Sequence, residues 1–451
     1  MALRRVLAIG GFLVLMLALA TGVVPAAPLA TLEGRAVLPA DTFAAGPPAG
    51  GQIDPTQQTN GRKPPFQGQP VQGFSAVLDA GGGAYWAMPD NGFGAKANSG
   101  DFLLRVYKIR PDFKTASGGS GAVAVESFIG LRDPDKRIPF KLTNDTAAER
   151  LLTGADFDIE SVRFDDRGDL WFGDEFGPWL LHTDATGKVL EAPIPLLGVK
   201  AAENATITQG ETANLPGSGG FEGMAASSDG RTLYPMLEKA LKEDADQRRR
   251  FIYTFDVASK RYIGQPRQYR VEEPAHAIGD LTQLDDNRWL VIERDNNQGA
   301  AAKFKQIFLL DVRRVGADGF LEKRQIIDLL AIGDPNRLSL PARAGDLGLG
   351  ETFSFPFQTI EDVLPLGGGR LLILNDNNYP FSAGRNPGLL DDNEMIIVRV
   401  SGLDEGGQMP GLPNTGVGGR ERRWAAGLLA AALLALLLAT WMGTRRRPIE
   451  D

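Results

Sequence analysis

One pattern recurs along this chain: two short strands joined by a tight turn, with an acidic or polar pair closing the second strand. The clearest copy runs from Asp158-Ile-Glu160 through the turn Asp165-Asp-Arg-Gly to Asp174-Glu175. Short apolar runs bounded by Asp and Gly predict β-hairpins. Further copies begin at Gly73, Phe221, Ala277 and Thr359.

The spacing of the copies predicts their arrangement. Positions 75, 160, 222, 280 and 361 open the first strands, at intervals of 85, 62, 58 and 81 residues. Small antiparallel sheets repeated at ~40–60 residues are typical of a β-propeller. We therefore expect an all-β fold, a propeller of about six blades over residues 71–400. Five or seven blades are the alternatives, because the two long intervals hold either a weak blade or insertions.

Composition excludes several chemistries. Of 451 residues, 43% are hydrophobic and 23% charged, which is typical of a folded globular protein. The absence of Cys excludes disulfides, thiolate zinc sites and a Cys nucleophile. The only histidines, His182 and His276, are too few for a His-rich metal centre. Ser75 lies on a predicted strand and in no Gly-x-Ser-x-Gly turn, which disfavours a serine esterase.

The N-terminus has the pattern of a secretory signal peptide. Residues 1–30 carry Arg4 and Arg5 near the start, continue with an apolar run from Val6 to Ala20, and end in an Ala-rich stretch. Cleavage after Ala27 or Ala30 is expected. An uncleaved anchor helix is the alternative, although the apolar run is shorter than the ~20 residues of a membrane span.

The C-terminus predicts a membrane span. Residues 424–442 contain 19 uncharged residues, enough to cross a bilayer. A basic tail, residues 443–451, follows and is expected on the cytoplasmic side. The preceding linker, residues 401–423, contains Leu412, Pro413, Asn414, Thr415 and Gly416.

This order of pentapeptide, apolar span and basic tail resembles the LPxTG sorting signal of sortase substrates. The resemblance implies a sortase-type transpeptidase as partner, which cuts between Thr415 and Gly416 and joins the protein to the cell wall. A plain single-span membrane anchor is the alternative, since Arg420, Arg422 and Arg423 put unusual positive charge before the span.

The charge balance argues against nucleic acid as a partner. Without the terminal segments, residues 31–415 carry 40 basic and 53 acidic residues, a net charge of −13. Such a surface repels nucleic acid and attracts cations.

The repeated acids are expected to converge. In a hairpin, the start of the first strand lies beside the end of the second. This rule predicts four neighbouring sets: Glu160 with Asp174 and Glu175, Glu222 with Glu238, Asp280 with Glu293, and Glu361 with Asp376. In a propeller the first strands line the central channel, so these acids would meet at one mouth.

Crowded carboxylates raise one another's pKa unless a cation joins them, and hard oxygen ligands suit calcium. We therefore predict a calcium site among Asp90, Glu160, Asp174, Glu175, Glu222, Glu238, Glu293, Glu361 and Asp376. The alternative is that these acids cap strand ends, or pair with Lys239 and Arg294.

Several motifs resemble the phytase-like family, known as esterase-like activity of phytase. They include Gly73-Phe-Ser-Ala-Val, Asp158-Ile-Glu-Ser-Val, Gly173-Asp-Glu-Phe-Gly-Pro and Gly220-Phe-Glu-Gly-Met-Ala. The resemblance covers about residues 71–400. The preceding segment, residues 31–70, holds a candidate closing strand.

The resemblance implies hydrolysis of a small phosphorylated or ester substrate. Calcium at the mouth would bind phosphate and lower the pKa of an attacking water. Candidate catalytic residues are Glu160, Glu222, Lys239, Arg294 and His276, with Lys239 and Arg294 holding phosphate oxygens. The alternative is a non-catalytic surface propeller that binds an envelope component through the same mouth.

Overall fold

The computed structural model describes residues 29–403. In this range the chain forms 26 strands and two 3₁₀ turns, Lys96–Asn98 and Gly299–Ala301. The predicted all-β fold class is therefore confirmed. Among the described residues, no helix has the length and apolarity needed to cross a bilayer. The first 28 residues, the pentapeptide 412–416, the apolar segment 424–442 and the basic tail all lie outside the described range.

The first thirteen strands are β1 (Ala30–Leu38), β2 (Phe43–Ala44), β3 (Gln69–Pro70), β4 (Phe74–Gly81), β5 (Ala84–Pro89), β6 (Arg105–Asp112), β7 (Ala122–Gly130), β8 (Ile159–Phe164), β9 (Leu170–Asp174), β10 (Trp179–Thr183), β11 (Ile194–Pro195), β12 (Phe221–Ala226) and β13 (Thr232–Leu237). The next thirteen are β14 (Arg249–Ile252), β15 (Phe255–Asp256), β16 (Arg261–Tyr262), β17 (Arg267–Arg270), β18 (Ala277–Asp285), β19 (Arg288–Arg294), β20 (Lys305–Val315), β21 (Leu321–Asp328), β22 (Ile332–Gly333), β23 (Thr352–Phe353), β24 (Thr359–Gly367), β25 (Arg370–Asp376) and β26 (Asn393–Val400).

Five antiparallel hairpins surround the centre of the described fold. Their first strands are β4, β8, β12, β18 and β24, paired with β5, β9, β13, β19 and β25. Each first strand packs against the next, and β24 packs against β4. The first strands thus close a propeller-like ring, and the other strands of each sheet lie further out, as in the order β8-β9-β10-β11.

The two long intervals of the sequence repeat hold mainly connecting segments. Residues 131–158 contain no strand, and residues 329–358 contain only the two-residue strands β22 and β23. The sequence predicts about six blades, whereas residues 29–403 contain five inner hairpins.

One sheet joins the two ends of the described chain. Strand β1 runs antiparallel to β26, from Ala30 opposite Val400 to Leu38 opposite Asn393. It also meets β7 through a single parallel pair. Cleavage after Ala27 would keep β1 intact, whereas cleavage after Ala30 would remove its first residue.

The hydrophobic core lies between neighbouring sheets. Strand β9 is buried along its whole length, as expected for a strand covered on both faces. Trp171 and Leu180 of one sheet pack in the same cluster as Phe221 and Leu233 of the next. This packing fixes the position of each inner strand relative to its neighbours.

Candidate functional site

Each inner strand has a register shift at its second or third residue. In β8, Ile159 lies opposite Asp174 and Ser161 opposite Gly173, so Glu160 has no partner of its own. Such a bulge bends the strand and redirects a side chain. Equivalent shifts occur at Ser75 in β4, Glu222-Gly223 in β12, Gly279 in β18 and Glu361 in β24.

The second strands supply the next group of side chains. On each second strand, the residue paired with the start of the bulge is followed by a charged residue. In chain order these charged residues are Asp90, Glu175, Glu238, Arg294 and Asp376. Because side chains alternate along a strand, these residues lie at the same end of the ring as the bulge positions, three of which hold a glutamate. We call the following set the mouth cluster: Asp90, Asp158, Glu160, Glu175, Glu222, Glu238, Glu361, Asp376, Arg294 and Lys239.

Glu160 is shared by two carboxylate triads. Oxygens of Asp90, Asp158 and Glu160 lie within 4.8 Å of one another, as do those of Glu160, Glu175 and Glu222. Asp158 was missed by the sequence analysis. Its signal was the Asp-Ile-Glu spacing, since residues two apart on an extended chain share a face.

Three buried oxygens of this cluster lack hydrogen-bond partners: Oε2 of Glu160, Oε1 of Glu175 and Oε1 of Glu222. The three residues are 9%, 3% and 4% exposed. A buried polar atom without a partner is costly, so a proton or a cation is needed to stabilise it. The donors are oxygens only, and this set fits a hard cation such as calcium.

Burial and mutual repulsion raise the pKa values of the carboxyl groups in the cluster. Burial, then the charges of Asp158 and Glu222, raise the pKa of Glu160 well above its usual range. Burial raises the pKa of Asp158 to about 6, and that of Glu361 to about 8. Without a cation, much of the cluster therefore holds protons at neutral pH.

Gly73 lies between two acids of the cluster. A Cβ there would lie 2.9 Å from Oδ1 of Asp376 and 3.2 Å from Oδ1 of Asp90, and the φ angle is +67°. Only glycine combines this backbone conformation with this lack of space. Burial and the nearby Asp90 raise the pKa of Asp376 to about 8.

Arg294 and Lys239 are the cations of the mouth cluster. Arg294 Nη2 lies 2.9 Å from Oε1 of Glu361 and 4.0 Å from Oε1 of Glu238. Ser75 Oγ donates to the other oxygen of Glu361 at 3.1 Å. Lys239 Nζ lies 3.2 Å from Glu238 Oε2 and donates to the carbonyl oxygens of Gly217 and Ser218.

Two of the predicted ligands have other roles. Asp174 accepts backbone hydrogen bonds from Asp158 at 2.9 Å and from Gly177 at 2.7 Å. These bonds connect the strand end to its adjoining loops. Burial raises the pKa of Asp174 to about 8. Asp174 therefore caps the hairpin, and its neighbour Glu175 joins the triad.

Glu293 lies in a separate polar network. It accepts hydrogen bonds from Tyr269 Oη at 2.7 Å, His276 Nδ1 at 2.8 Å and Lys323 Nζ at 2.8 Å. Burial alone would raise its pKa, but the hydrogen bond from His276 and the charge of Lys323 lower it overall. Glu293 is thus held by its own partners and is not available to the mouth cluster.

The predicted contact between Asp280 and Glu293 is wrong. The bulge at Gly279 shifts the register, so Ile278 lies opposite Glu293 and Asp280 lies opposite Ile292. Asp280 instead accepts a hydrogen bond from the backbone of Val363 at 3.1 Å and pairs with Arg163 at 3.4 Å.

A cavity of about 290 Å³ adjoins the cluster. Its lining includes Glu238, Lys239, Arg250, His276 and Asn296. The guanidinium of Arg250 donates to backbone carbonyl oxygens, including that of His276 at 2.9 Å. The cavity therefore joins two mouth-cluster residues to the His276–Glu293 network.

Fold and site define an all-β, propeller-like protein with a buried carboxylate cluster at one end of its inner strands. The model of the phytase-like family, described as esterase-like activity of phytase, matches residues 69–379. The chain belongs to this family.

Other similarities are more distant. An uncharacterized secreted protein of Arthroderma benhamiae is 23% identical over 185 residues, which are 33% of this chain and 36% of that protein. The matched region thus spans about a third of that relative. A luciferin-regenerating enzyme is 12% identical, with a TM-score of 0.35, over 74% of this chain and 80% of its own. A GH43 β-1,3-galactosidase is 9% identical, with a TM-score of 0.39, over 74% and 57%.

Proposed function

We propose that this chain is an exported, cell-surface-anchored, calcium-dependent phosphoester or ester hydrolase acting at the mouth cluster. We further propose that the five inner hairpins and their outer strands form the blades of a five-bladed propeller. The observation that carries the functional proposal is the group of unpartnered, buried oxygens on Glu160, Glu175 and Glu222.

The residues proposed to hold calcium are those of the two triads, with Glu160 bridging them. Their oxygens come from two adjacent hairpins and from the loop after β5, so a cation would be fixed by separate sheets. When bound, calcium would polarise a phosphoryl or acyl group and lower the pKa of an attacking water.

The substrate would enter through the cavity beside Glu238 and Lys239. Lys239 is partly exposed, so its ammonium is accessible to a small phosphorylated or ester substrate. Arg294 is buried and would act mainly by orienting Glu361 and lowering the negative charge of the mouth. His276 lines the same cavity, and its Nδ1 is held by Glu293.

The test is phosphate release from a panel of phosphomonoesters, in calcium and in chelator. We expect calcium-dependent release, reduced at least ~100-fold in Glu160→Gln and Glu222→Gln. Glu322→Gln is the matched control, because Glu322 lies on the outer strand β21 and pairs with Arg314 of β20. Full activity of both mouth variants, or turnover unaffected by chelator, would contradict the proposal.

A second candidate is a non-catalytic binding propeller with structural calcium. It is favoured by the existing contacts of the two cations, since Arg294 is paired with Glu361 and Lys239 is bound to two carbonyl oxygens. This alternative predicts calcium binding with no turnover of any phosphoester or ester in the panel.

Export is supported by the signal-peptide pattern and by the secreted relative. The proposed anchor rests on residues 412–416 and 424–442, with a sortase-type transpeptidase and the membrane as partners. Thr415→Ala should move the protein from the cell-wall fraction to the membrane fraction. An unchanged distribution, in the membrane for both forms, would indicate a plain membrane anchor.

A further inference from the structure

A second polar cluster lies at the opposite end of the β8–β9 hairpin from the mouth. It consists of His182 on β10 with Asp165 and Asp169 in the turn between β8 and β9. One ligand atom from each of the three residues lies within 4.8 Å of the other two. His182 lies opposite Trp171 in the strand register, and their rings stack with centroids 4.0 Å apart and an angle of 12°.

A hydrogen bond at Nδ1 holds the imidazole of His182 in one orientation. Its Nδ1 lies 2.7 Å from Oε1 of Glu191, and the second oxygen of Glu191 lies 2.6 Å from Lys260 Nζ. A carboxylate can only accept, so Nδ1 carries the hydrogen of this bond. In the neutral ring, the lone pair is therefore on Nε2. A carboxylate bonded to the outer nitrogen of a histidine is a common support for metal-bound imidazole.

Nε2 points at two carboxylates without bonding to either. It lies 3.6 Å from Oδ2 of Asp169 and 3.9 Å from Oδ2 of Asp165, beyond hydrogen-bond distance. The atom is buried and has no partner, and His182 is only 2% exposed. A lone pair facing two carboxylate oxygens is repulsive unless a proton or a metal cation lies between them.

The spacing is close to that of a tetrahedral metal site. Ligands ~2.0–2.1 Å from a tetrahedral zinc lie roughly 3.3 Å apart. The two nitrogen–oxygen separations, 3.6 and 3.9 Å, exceed this value by about 0.3 and 0.6 Å. Asp169 is partly exposed, which leaves a direction open for a further ligand from solvent.

We propose that Asp165, Asp169 and His182 form a site for a divalent transition metal of the zinc type, separate from the mouth cluster. The mixed nitrogen and oxygen donors favour such a metal over calcium. Bound there, it would connect the β8–β9 turn to β10 and, through Glu191, to the segment after β10.

Arg167 competes for the same oxygens. Its guanidinium lies 2.8 Å from Oδ2 of Asp165 and 3.5 Å from Oδ2 of Asp169. Trp171 Nε1 also donates to Oδ2 of Asp165, at 3.2 Å. The Arg167 side chain is 56% exposed, so it can move into solvent when a metal binds. Arg167→Met should therefore increase zinc affinity.

The presence of only two histidines gives a direct test. Imidazole NMR signals of the full chain are followed during titration with zinc alone, and assigned with His182→Asn and His276→Asn. We expect one equivalent of zinc to shift the His182 signal and leave the His276 signal in place. Zinc at the mouth carboxylates would not produce this pattern. An unchanged His182 signal at millimolar zinc would overturn the proposal.

Two further variants keep the test valid if His182→Asn does not fold. Asp169→Asn alters a partly exposed turn residue and should weaken zinc binding at least ~10-fold. His182 is unchanged in this variant, so its NMR signal reports the zinc affinity. Arg167→Met should strengthen it. Unchanged zinc affinity in both variants would overturn the assignment of zinc to Asp165, Asp169 and His182.

Discussion

Arg294 Nη2 lies 2.9 Å from Oε1 of Glu361, and both side chains are almost completely buried. The two residues come from adjacent hairpins, β18–β19 and β24–β25. In the fourth hairpin Gly279 takes the bulge position that glutamate occupies in its two neighbours, and the following second-strand position holds arginine. This hairpin thus supplies positive charge to a mouth that is otherwise mainly acidic.

Replacement of Arg294 should destabilise the metal-free protein. Arg294→Gln is expected to lower the free energy of unfolding by about 3 kcal/mol at pH 8, because it leaves a buried carboxylate without its partner. Arg399→Gln removes an exposed pair with Glu33 and should change it by less than ~1 kcal/mol. Denaturant unfolding of both variants makes the comparison, and equal losses would contradict the assigned role.

The mouth cluster should make the metal-free protein less stable as pH rises. Burial raises the folded-state pKa of Glu361 and Asp376 to about 8, above the values of unfolded carboxyls. Between about pH 4 and pH 8 the folded state therefore binds more protons than the unfolded state, so these groups lower stability as pH increases. Thermal unfolding in chelator checks this trend, which Glu160→Gln should weaken. A rise in stability from pH 5 to pH 8 would argue against the raised pKa values.

Calcium should reverse this pH trend. Cation binding requires ionised carboxylates, so calcium affinity should be higher at pH 7.5 than at pH 5.5. At a hundredfold excess over its dissociation constant, calcium is expected to stabilise the fold by ~2.7 kcal/mol. Melting temperatures of the full chain in calcium and chelator provide the measurement. Absence of a shift at millimolar calcium would leave these acids as strand caps.

Replacement of Glu293 should change the stability of the fold without changing its affinity for calcium. Its pKa is lowered overall by the hydrogen bond from His276 and the charge of Lys323. The corresponding stability is present above the unfolded pKa and is lost as pH falls. Glu293→Gln should therefore destabilise the fold at neutral pH and leave the dissociation constant for calcium unchanged. A large loss of calcium affinity would place Glu293 in the metal site after all.

Gly279 should tolerate no side chain. A Cβ at this position would lie 2.1 Å from the carbonyl oxygen of Ile360 on the neighbouring inner strand. Gly279→Ala is expected to destabilise the fold by at least ~2 kcal/mol, because backbone must move. Gly130→Ala is the matched control, since no atom lies within 4 Å of its added Cβ. Similar unfolding midpoints for the two variants would contradict the close approach of β18 and β24.

The sequence was sufficient to predict hairpins and the gathering of their acids. Seven of the nine predicted ligands lie in the mouth cluster, because hairpin geometry alone brings strand starts and ends together. The choice between Asp174 and Glu175 was not predictable, since it depends on which of two adjacent side chains the strand turns inward. The position of Asp280 depends on a one-residue bulge, which becomes visible only in the hydrogen-bond register.

The partners of Glu293 were also hidden from sequence reasoning. Tyr269 and Lys323 come from β17 and β21, the outer strands of two different sheets. No local sequence spacing relates Tyr269 and Lys323 to Glu293 near the end of β19. Contacts of this type follow from sheet packing, which the repeat pattern does not specify.

Under the proposed export, the pairing of β1 with β26 would affect how the chain folds. Arg35 and Glu394, bonded across this pair, are 359 positions apart, so the sheet forms only after nearly all of the described chain is available. If the N-terminal end crosses the membrane first, β1 arrives with unpaired backbone groups long before its partner. The ring would stay open until translocation is almost complete, and closure would be a late, slow step. Until then, the exposed edge of β1 is a surface for chaperones outside the cell, or for aggregation.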